Sequence, residues 1–170
     1  VKNLKKCKLT ILQNIPEHSG LGSGTQLSLA TGFLLSEFNG LNLKIDEISN
    51  LLGRGLRSGI GIQSFKTGGF IIDSGKIRGS NSIPLTIFRN QWPREWKLIL
   101  IFDMERSGVH GKEELKKFKK LKKVDSSLVN ENCGVVLMKI IPSIIEKNFQ
   151  HFSTGVQIIQ DNMSKIFYGD

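Results

Sequence analysis

The residues equipped to handle an anion are gathered in the first 75 positions of the chain. Pro16 to Gln26 reads PEHSGLGSGTQ, and Gly20, Gly22 and Gly24 leave the backbone free to turn until successive N–H groups point at one spot. A helix beginning directly after that turn would aim the positive end of its dipole at the same spot, so Gly20, Leu21, Gly22, Ser23, Gly24, Thr25 and Gln26 read as a phosphate cradle. A plain Gly-rich turn between strand and helix fits the same pattern. The segment carries neither the glycine–lysine spacing of a P-loop nor the GxGxxG of a dinucleotide fold. A second group lies downstream, where Arg54 and Arg57 could each hold a phosphate or carboxylate through a planar guanidinium, or stand as ordinary surface arginines. Ser58 between glycines adds a hydroxyl donor. His18 is a donor or acid, or simply a loop residue. Glu17 and Asp73 are the acidic residues nearest these motifs, and each reads either as a water-mediated Mg²⁺ contact or as a cap or surface group.

These groups need elements to position them. Lys8 to Ile15 (KLTILQNI) alternates well enough for a strand before the glycine turn. From about Thr25 a helix is expected, with Leu27, Ala30, Leu34 and Phe38 on one face, Leu29 and Phe33 beside it, and Asn39-Gly40 ending it. A second short helix is expected from an Asp46 cap to Gly53. Gly68-Gly69 introduces an apolar strand at Phe70-Ile71-Ile72, and Lys97 to Phe102 (KLILIF) reads as another. Pro84 and Trp92-Pro93 mark a connection between two subdomains, and the remainder is mainly helical with breaks near Asp125 and Pro142. The order is mixed α+β rather than a run of βαβ units.

The net charge of +9, from 24 Lys and Arg against 15 Asp and Glu, favours anionic partners without choosing among them. Part of the excess sits in Lys112 to Lys123 (KEELKKFKKLKK), where Leu115, Phe118 and Leu121 keep helical spacing; the segment reads as a solvated amphipathic helix ahead of a nucleic-acid stripe. No run approaches the roughly 20 apolar residues of a membrane span, and the N-terminus lacks a signal-peptide core. Cys7 and Cys133 have no CxxC spacing and are expected as reduced, partly buried thiols, which places the protein in the cytoplasm.

PEHSGLGSGTQ is similar to the phosphate-loop motif PxxxGLGSSAA of GHMP kinases, with Ser23 on its first serine and Gly24, Thr25 and Gln26 in place of the rest. The form GLGSGTQL is that of the ribofuranosylaminobenzene 5'-phosphate synthases. Gly53 to Gly75, GRGLRSGIGIQSFKTGGFIIDSG, resembles GRGxRSGIGIxxFxxGGFIVDGG of the same family nearly residue for residue. Arg106 to Phe118 resembles its GLSGxxE segment more weakly.

The resemblance implies a GHMP-kinase-like α+β fold of two subdomains, an N-terminal part like domain 2 of ribosomal protein S5 and an α/β C-terminal part. Residues 1–93 would be the remainder of the N-terminal domain with the phosphate loop, and 94–170 a partial C-terminal domain, the usual first strands being missing. It implies a transferase that joins phosphoribosyl pyrophosphate to 4-aminobenzoate, or a 4-hydroxybenzoate-like analogue, releasing carbon dioxide and pyrophosphate with Mg²⁺ on the way to methanopterin-type carriers. Arg57, Ser58 and His18 would serve the chemistry, and Gly20 to Gln26 with Arg54 would hold phosphate. Phosphoribosyl pyrophosphate and an aryl carboxylate are then the partners, with neither nucleic acid nor membrane, in a monomer or a homodimer. Kinases of the superfamily carry an aspartate in an SGxD-like segment; here Ser58-Gly59-Ile60-Gly61 has glycine in that place, which weakens the alternative of an ATP-dependent small-molecule kinase.

Overall fold

The computed structural model describes residues 5–17, 19–77, 79–80, 82–102 and 125–168. His18, the lysine-rich segment Lys112 to Lys123 and the segment Arg106 to Phe118 lie outside the described residues. The chain forms two compact units, one drawn chiefly from Val1–Gln91 and the other from Trp92–Ile101 and the helices after residue 125.

Three helices and a two-stranded sheet make the first unit. Helix α1 spans Ser23–Phe38, α2 Ile45–Leu51 and α3 Ile60–Thr67, followed by strands β1 (Phe70–Asp73) and β2 (Thr86–Asn90). Leu29, Ile48 and Ile62, one from each helix, form the buried centre, with Leu43, Ile45, Phe65 and Ile83 packed against it. Each such side chain stabilises the fold by about 1.5–3 kcal/mol relative to exposure. The buried residues of α1 are Leu29 and Ser36, with Gly32 half-buried between them, not the face of Leu27, Ala30, Leu34 and Phe38: Leu34 and Phe38 are exposed. The small residues win because α2 comes so close that a Cβ on Gly32 would lie 2.6 Å from Ile48 Cγ2. The Ser36 hydroxyl accepts from the Leu43 N–H, and Leu41 N–H closes the helix end on Ser36 O with Gly40 at φ +65°.

Helix α2 is capped by Lys44, whose N–H donates to Glu47 Oε2 at 2.7 Å. Asp46 therefore lies inside the helix rather than at its cap. The strands pair antiparallel, Phe70 with Asn90, Ile71 with Arg89 and Ile72 with Phe88, and the register then slips so that Asp73 faces Thr86. Such a bulge bends the strand and re-aims its side chain.

Two expected strands do not form. Lys8 to Ile15 is irregular, with Leu9, Ile11 and Leu12 exposed, and Lys97 to Phe102 is likewise irregular, with Leu98 to Ile101 exposed. An isolated extended segment leaves its backbone groups unpaired, and among the described residues no strand pairs with either.

In the second unit α4 (Ser126–Val135) runs through a π-helical turn (Val136–Ile140) into α5 (Ile141–Glu146), and α6 (Phe149–Tyr168) follows. Asp125 starts the run by accepting from Ser127 N–H at 2.9 Å. No break occurs at Pro142. The π turn, in which Ile141 N–H reaches back to Val136 O, lengthens the ladder just before the residue that has no N–H to give. By length and composition alone Ser126–Glu146 is apolar enough to cross a bilayer, contrary to the expectation that no run approaches that length. Its inner side packs through Ile140 and Ile144, which are buried, and Ile140 comes within 3.0 Å of where a Cβ of Gly155 would stand. Asn162 of α6 is buried and donates to Glu131 Oε2 and Asn132 Oδ1 of α4. Trp92 and Trp96 are held against α6 by Phe149 and Phe152, with Trp96 ring centroids 5.3 and 5.0 Å from theirs. Both cysteines are exposed and free, not partly buried.

Candidate phosphate site

Gly20 and Gly22 take φ +78° and +72°, a region costly for any residue with a Cβ. The turn they make delivers the chain into α1 with Gly22 as its N-cap, and Gly22 O accepts from both Thr25 N–H and Gln26 N–H at 3.0 Å. The first helical N–H groups, those of Ser23 and Gly24, have no carbonyl within the helix to bond. No side chain caps them among the described residues, and no acidic residue stands in the first turn. A Cβ built on Gly20, Gly22 or Gly24 would meet nothing within 4 Å. The loop therefore presents free donors and a 16-residue helix end to open space, which is what an anion requires.

The second glycine motif is held against this loop. Gln26 Nε2 donates to Gly61 O at 2.8 Å, and a Cβ on Gly61 would sit 3.1 Å from Thr25 Cγ2. Arg54 Nη2 donates to Ser28 Oγ at 2.7 Å, while Ser28 Oγ itself donates to Gly24 O at 2.6 Å. Arg54 is half-buried and its Nε is buried with no hydrogen-bond partner. It thus bridges the second motif to α1 directly behind the loop, rather than standing out as a surface group. Gly55 and Gly59 are needed for close approach: a Cβ on Gly55 would lie 2.4 Å from Ile62 Cδ1, and one on Gly59 2.4 Å from Pro84 O. Arg57 is exposed, on the turn before Ser58.

Ser58 and Asp73 are brought together. Ser58 Oγ donates to Asp73 Oδ2 at 2.6 Å, Gly59 N–H donates to the same oxygen at 2.8 Å, and Gly75 N–H donates to Asp73 Oδ1 at 3.0 Å. Partial burial pushes the Asp73 carboxyl up, but the bonds from Ser58, Gly75, Gly59 and Ile60 together outweigh it and hold the group below its ordinary value. Asp73 thus fills the N-terminal end of α3 with an internal carboxylate, whereas among the described residues no side chain fills that of α1. Sequence reasoning named both residues but not their union, because it depends on the register slip that turns Asp73 toward α3. Glu17 is exposed before the loop. Among the described residues no group of three or more His, Cys, Asp or Glu could hold a metal ion.

Residues 1–70 match the family model of the GHMP kinases N terminal domain. The chain is 38% identical over 167 residues to the beta-ribofuranosylphenol 5'-phosphate synthase of Methanothermobacter thermautotrophicus, covering 92% of this chain and 51% of that protein. It is 39% identical to the protein of the same name from Methanocaldococcus jannaschii, over 89% of this chain and 50% of the relative. With that of Archaeoglobus fulgidus it shares 33% identity over 91% of this chain and 52% of the relative. The chain spans about half the length of the curated relatives it matches.

Proposed function

We propose that the full-length protein, whose residues 1–70 match the GHMP kinases N terminal domain and which is similar to the beta-ribofuranosylphenol 5'-phosphate synthases, joins phosphoribosyl pyrophosphate to a para-substituted benzoate. The observation that carries the proposal is the uncapped start of α1, where Gly20 and Gly22 open free N–H donors onto empty space. Those donors would hold a phosphate or pyrophosphate group of the sugar. Stabilising pyrophosphate as it departs with its C–O electron pair leaves an oxocarbenium-like centre at ribose C1. The ring carbon bearing the carboxylate then bonds to C1, and the electron pair of the ring–carboxylate bond returns to the ring as carbon dioxide leaves. No net proton is exchanged. The protein's task is to keep the two reactants in line.

Arg57, exposed next to Ser58, is the side chain we assign to the negative groups of either reactant. Arg54 we assign to holding the loop in place from behind, since its Nη2 is spent on Ser28. Mg²⁺ belongs to the proposal as a companion of pyrophosphate, whose charge it would help neutralise. The described carboxylates do not form a site for it: both Asp73 oxygens are already engaged, and no step is assigned to the ion. The product would enter methanopterin-type carrier synthesis, in the cytoplasm, without nucleic acid or membrane.

The test is release of labelled carbon dioxide from carboxyl-labelled 4-aminobenzoate or 4-hydroxybenzoate by the full-length gene product, dependent on phosphoribosyl pyrophosphate. The glycine loop would equally serve an ATP-dependent kinase, but Gly61 stands where a carboxylate would orient the hydroxyl nucleophile, and Asp73 is turned onto Ser58. ATP consumption with a small alcohol and no labelled gas would move the assignment to that class. A ligand that binds only the folded state raises its melting temperature, so the same choice is readable from whether ATP or phosphoribosyl pyrophosphate does so.

A further inference from the structure

The hydroxyl of Ser58 is exposed, yet its proton is not available to a ligand, because it is directed at Asp73 Oδ2 across 2.6 Å. A hydroxyl has one proton and two lone pairs. One lone pair receives the Ile60 N–H at 3.2 Å, and a second lone pair remains on an exposed residue. Toward anything that binds at this surface Ser58 is therefore an acceptor only. The orientation is fixed from behind: Gly59 N–H and Gly75 N–H keep the Asp73 carboxylate in place, so the carboxylate stays ionised and cannot return a proton to the serine. Ser58 lies three residues before Gly61, the residue bonded to Gln26 and in contact range of Thr25 on the phosphate loop.

A benzoate substrate of the proposed reaction has two ends with opposite needs. Its carboxylate is an acceptor and must be free to leave, whereas a para hydroxyl or amino group is a donor that must be held to orient the ring. We propose that Ser58, with its proton committed to Asp73, accepts the hydrogen bond of the para substituent and thereby selects aryl acids that carry a donor opposite the carboxylate. Ser58 is then a specificity-determining contact, and Asp73 a positioning residue acting through it. An acceptor without a proton to give reads –OH and –NH₂ alike, so the same site takes either acid and rejects a para substituent that lacks N–H or O–H. A site built to hydrogen-bond one group loses most against the analogue that leaves its polar atom unpaired. This inference rests on the transferase reading above.

The experiment compares 4-hydroxybenzoate, 4-aminobenzoate and 4-methoxybenzoate with the full-length protein and phosphoribosyl pyrophosphate. The methyl ether keeps the ring's electron donation but loses the O–H. Wild type should use the first two and discriminate against the third. Ser58→Ala should raise KM for the two donors by about tenfold, the loss of roughly one hydrogen bond to a polarised group, with the KM for phosphoribosyl pyrophosphate nearly unchanged. Ser58→Thr, which keeps the hydroxyl, should restore most of it. Asp73→Asn should compress the preference for 4-hydroxybenzoate over the ether, since Ser58 would then be free to donate; a role in folding alone would not move that ratio. If wild type turns over the donors but Ser58→Ala keeps the wild-type preference, the inference is overturned while the transferase reading stands. If wild type turns over neither donor, both fall.

Discussion

Gln26 Nε2 donates to the carbonyl of Gly61 at 2.8 Å, tying the first turn of α1 to the first turn of α3. The bond spans 35 positions of sequence and joins the two glycine motifs, so the phosphate loop is only as well placed as α3. Gly61 is the residue that permits this, because a Cβ there would come to 3.1 Å of Thr25 Cγ2.

Gly61→Val is expected to force the two helices apart. Overpacking of this kind costs about 1–3 kcal/mol, and the displaced α1 should bind phosphoribosyl pyrophosphate more weakly. Urea unfolding and calorimetry on the same protein would measure both losses. A variant as stable as wild type would show that the contact gives way without consequence.

Arg54 predicts a different signature from Arg57. Arg54 bonds Ser28 and has a buried Nε, so Arg54→Met should lower stability by about 1–3 kcal/mol as Ser28 loses its charged donor. Arg57→Ala, at an exposed position, should weaken binding of the anionic substrate by about tenfold or more, the loss of one charge-assisted bond, and should lower the midpoint of unfolding less than Arg54→Met does. Equal effects of both variants on stability would contradict the division of roles.

Part of this arrangement was legible from sequence and part was not. The glycine loop, the Asn39-Gly40 stop and the strand after Gly68-Gly69 were legible because each depends on residues adjacent in the chain, glycine above all. Lys8 to Ile15 and Lys97 to Phe102 misled because apolar content says that a segment suits a strand, not that a partner strand exists. Strand β2 escaped notice since Thr86–Asn90 mixes polar and apolar residues just after Pro84. The inward side of α1 was misread because it runs from Leu29 through two small residues, Gly32 and Ser36, and at Gly32 the neighbouring helix comes close. The Ser58–Asp73 pair was beyond reach, since no local pattern announces a register slip between Ile72 and Asp73.

Asp73 also sets an acid limit to stability. Its carboxyl is held below the ordinary value in the folded chain, so the folded state binds its proton less readily than the unfolded state does. The resulting stabilisation is present above the unfolded value of about 3.9 and is lost as pH falls through the lower folded value. Asp73→Asn should therefore be less stable than wild type at neutral pH, with the difference shrinking below pH of about 4. Unfolding midpoints measured from acid to neutral pH on both proteins would show whether the curves converge; parallel curves would contradict the assignment.

The second unit should depend on one aromatic residue. Trp96 is buried against Phe149 and Phe152 and also meets Trp92, whose indole N–H donates to Trp96 O at 3.1 Å. Trp96→Ala would leave a large void among side chains that cannot all close over it, at a cost of about 3–5 kcal/mol. Trp96→Phe should recover much of this. Denaturant titrations followed by far-UV circular dichroism would read the loss without relying on the removed indole.

The loop itself gives the sharpest test. Gly22 sits at φ +72° with nothing within 4 Å of its would-be Cβ, so Gly22→Val meets no clash in the folded chain. Its stability cost is confined to the left-handed backbone, where a residue with a Cβ is disfavoured by about 1–2 kcal/mol and a β-branched one by more. The space the valine enters is the space an anion must occupy above the Ser23 and Gly24 N–H groups. Binding of phosphoribosyl pyrophosphate should therefore disappear from calorimetry while circular dichroism still reports a folded protein. Ser23→Ala separates the backbone from the side chain: if the N–H groups hold the anion, losing the hydroxyl should weaken binding by no more than about tenfold. Wild-type affinity in Gly22→Val would mean that the loop is only a turn and that the phosphate sits elsewhere.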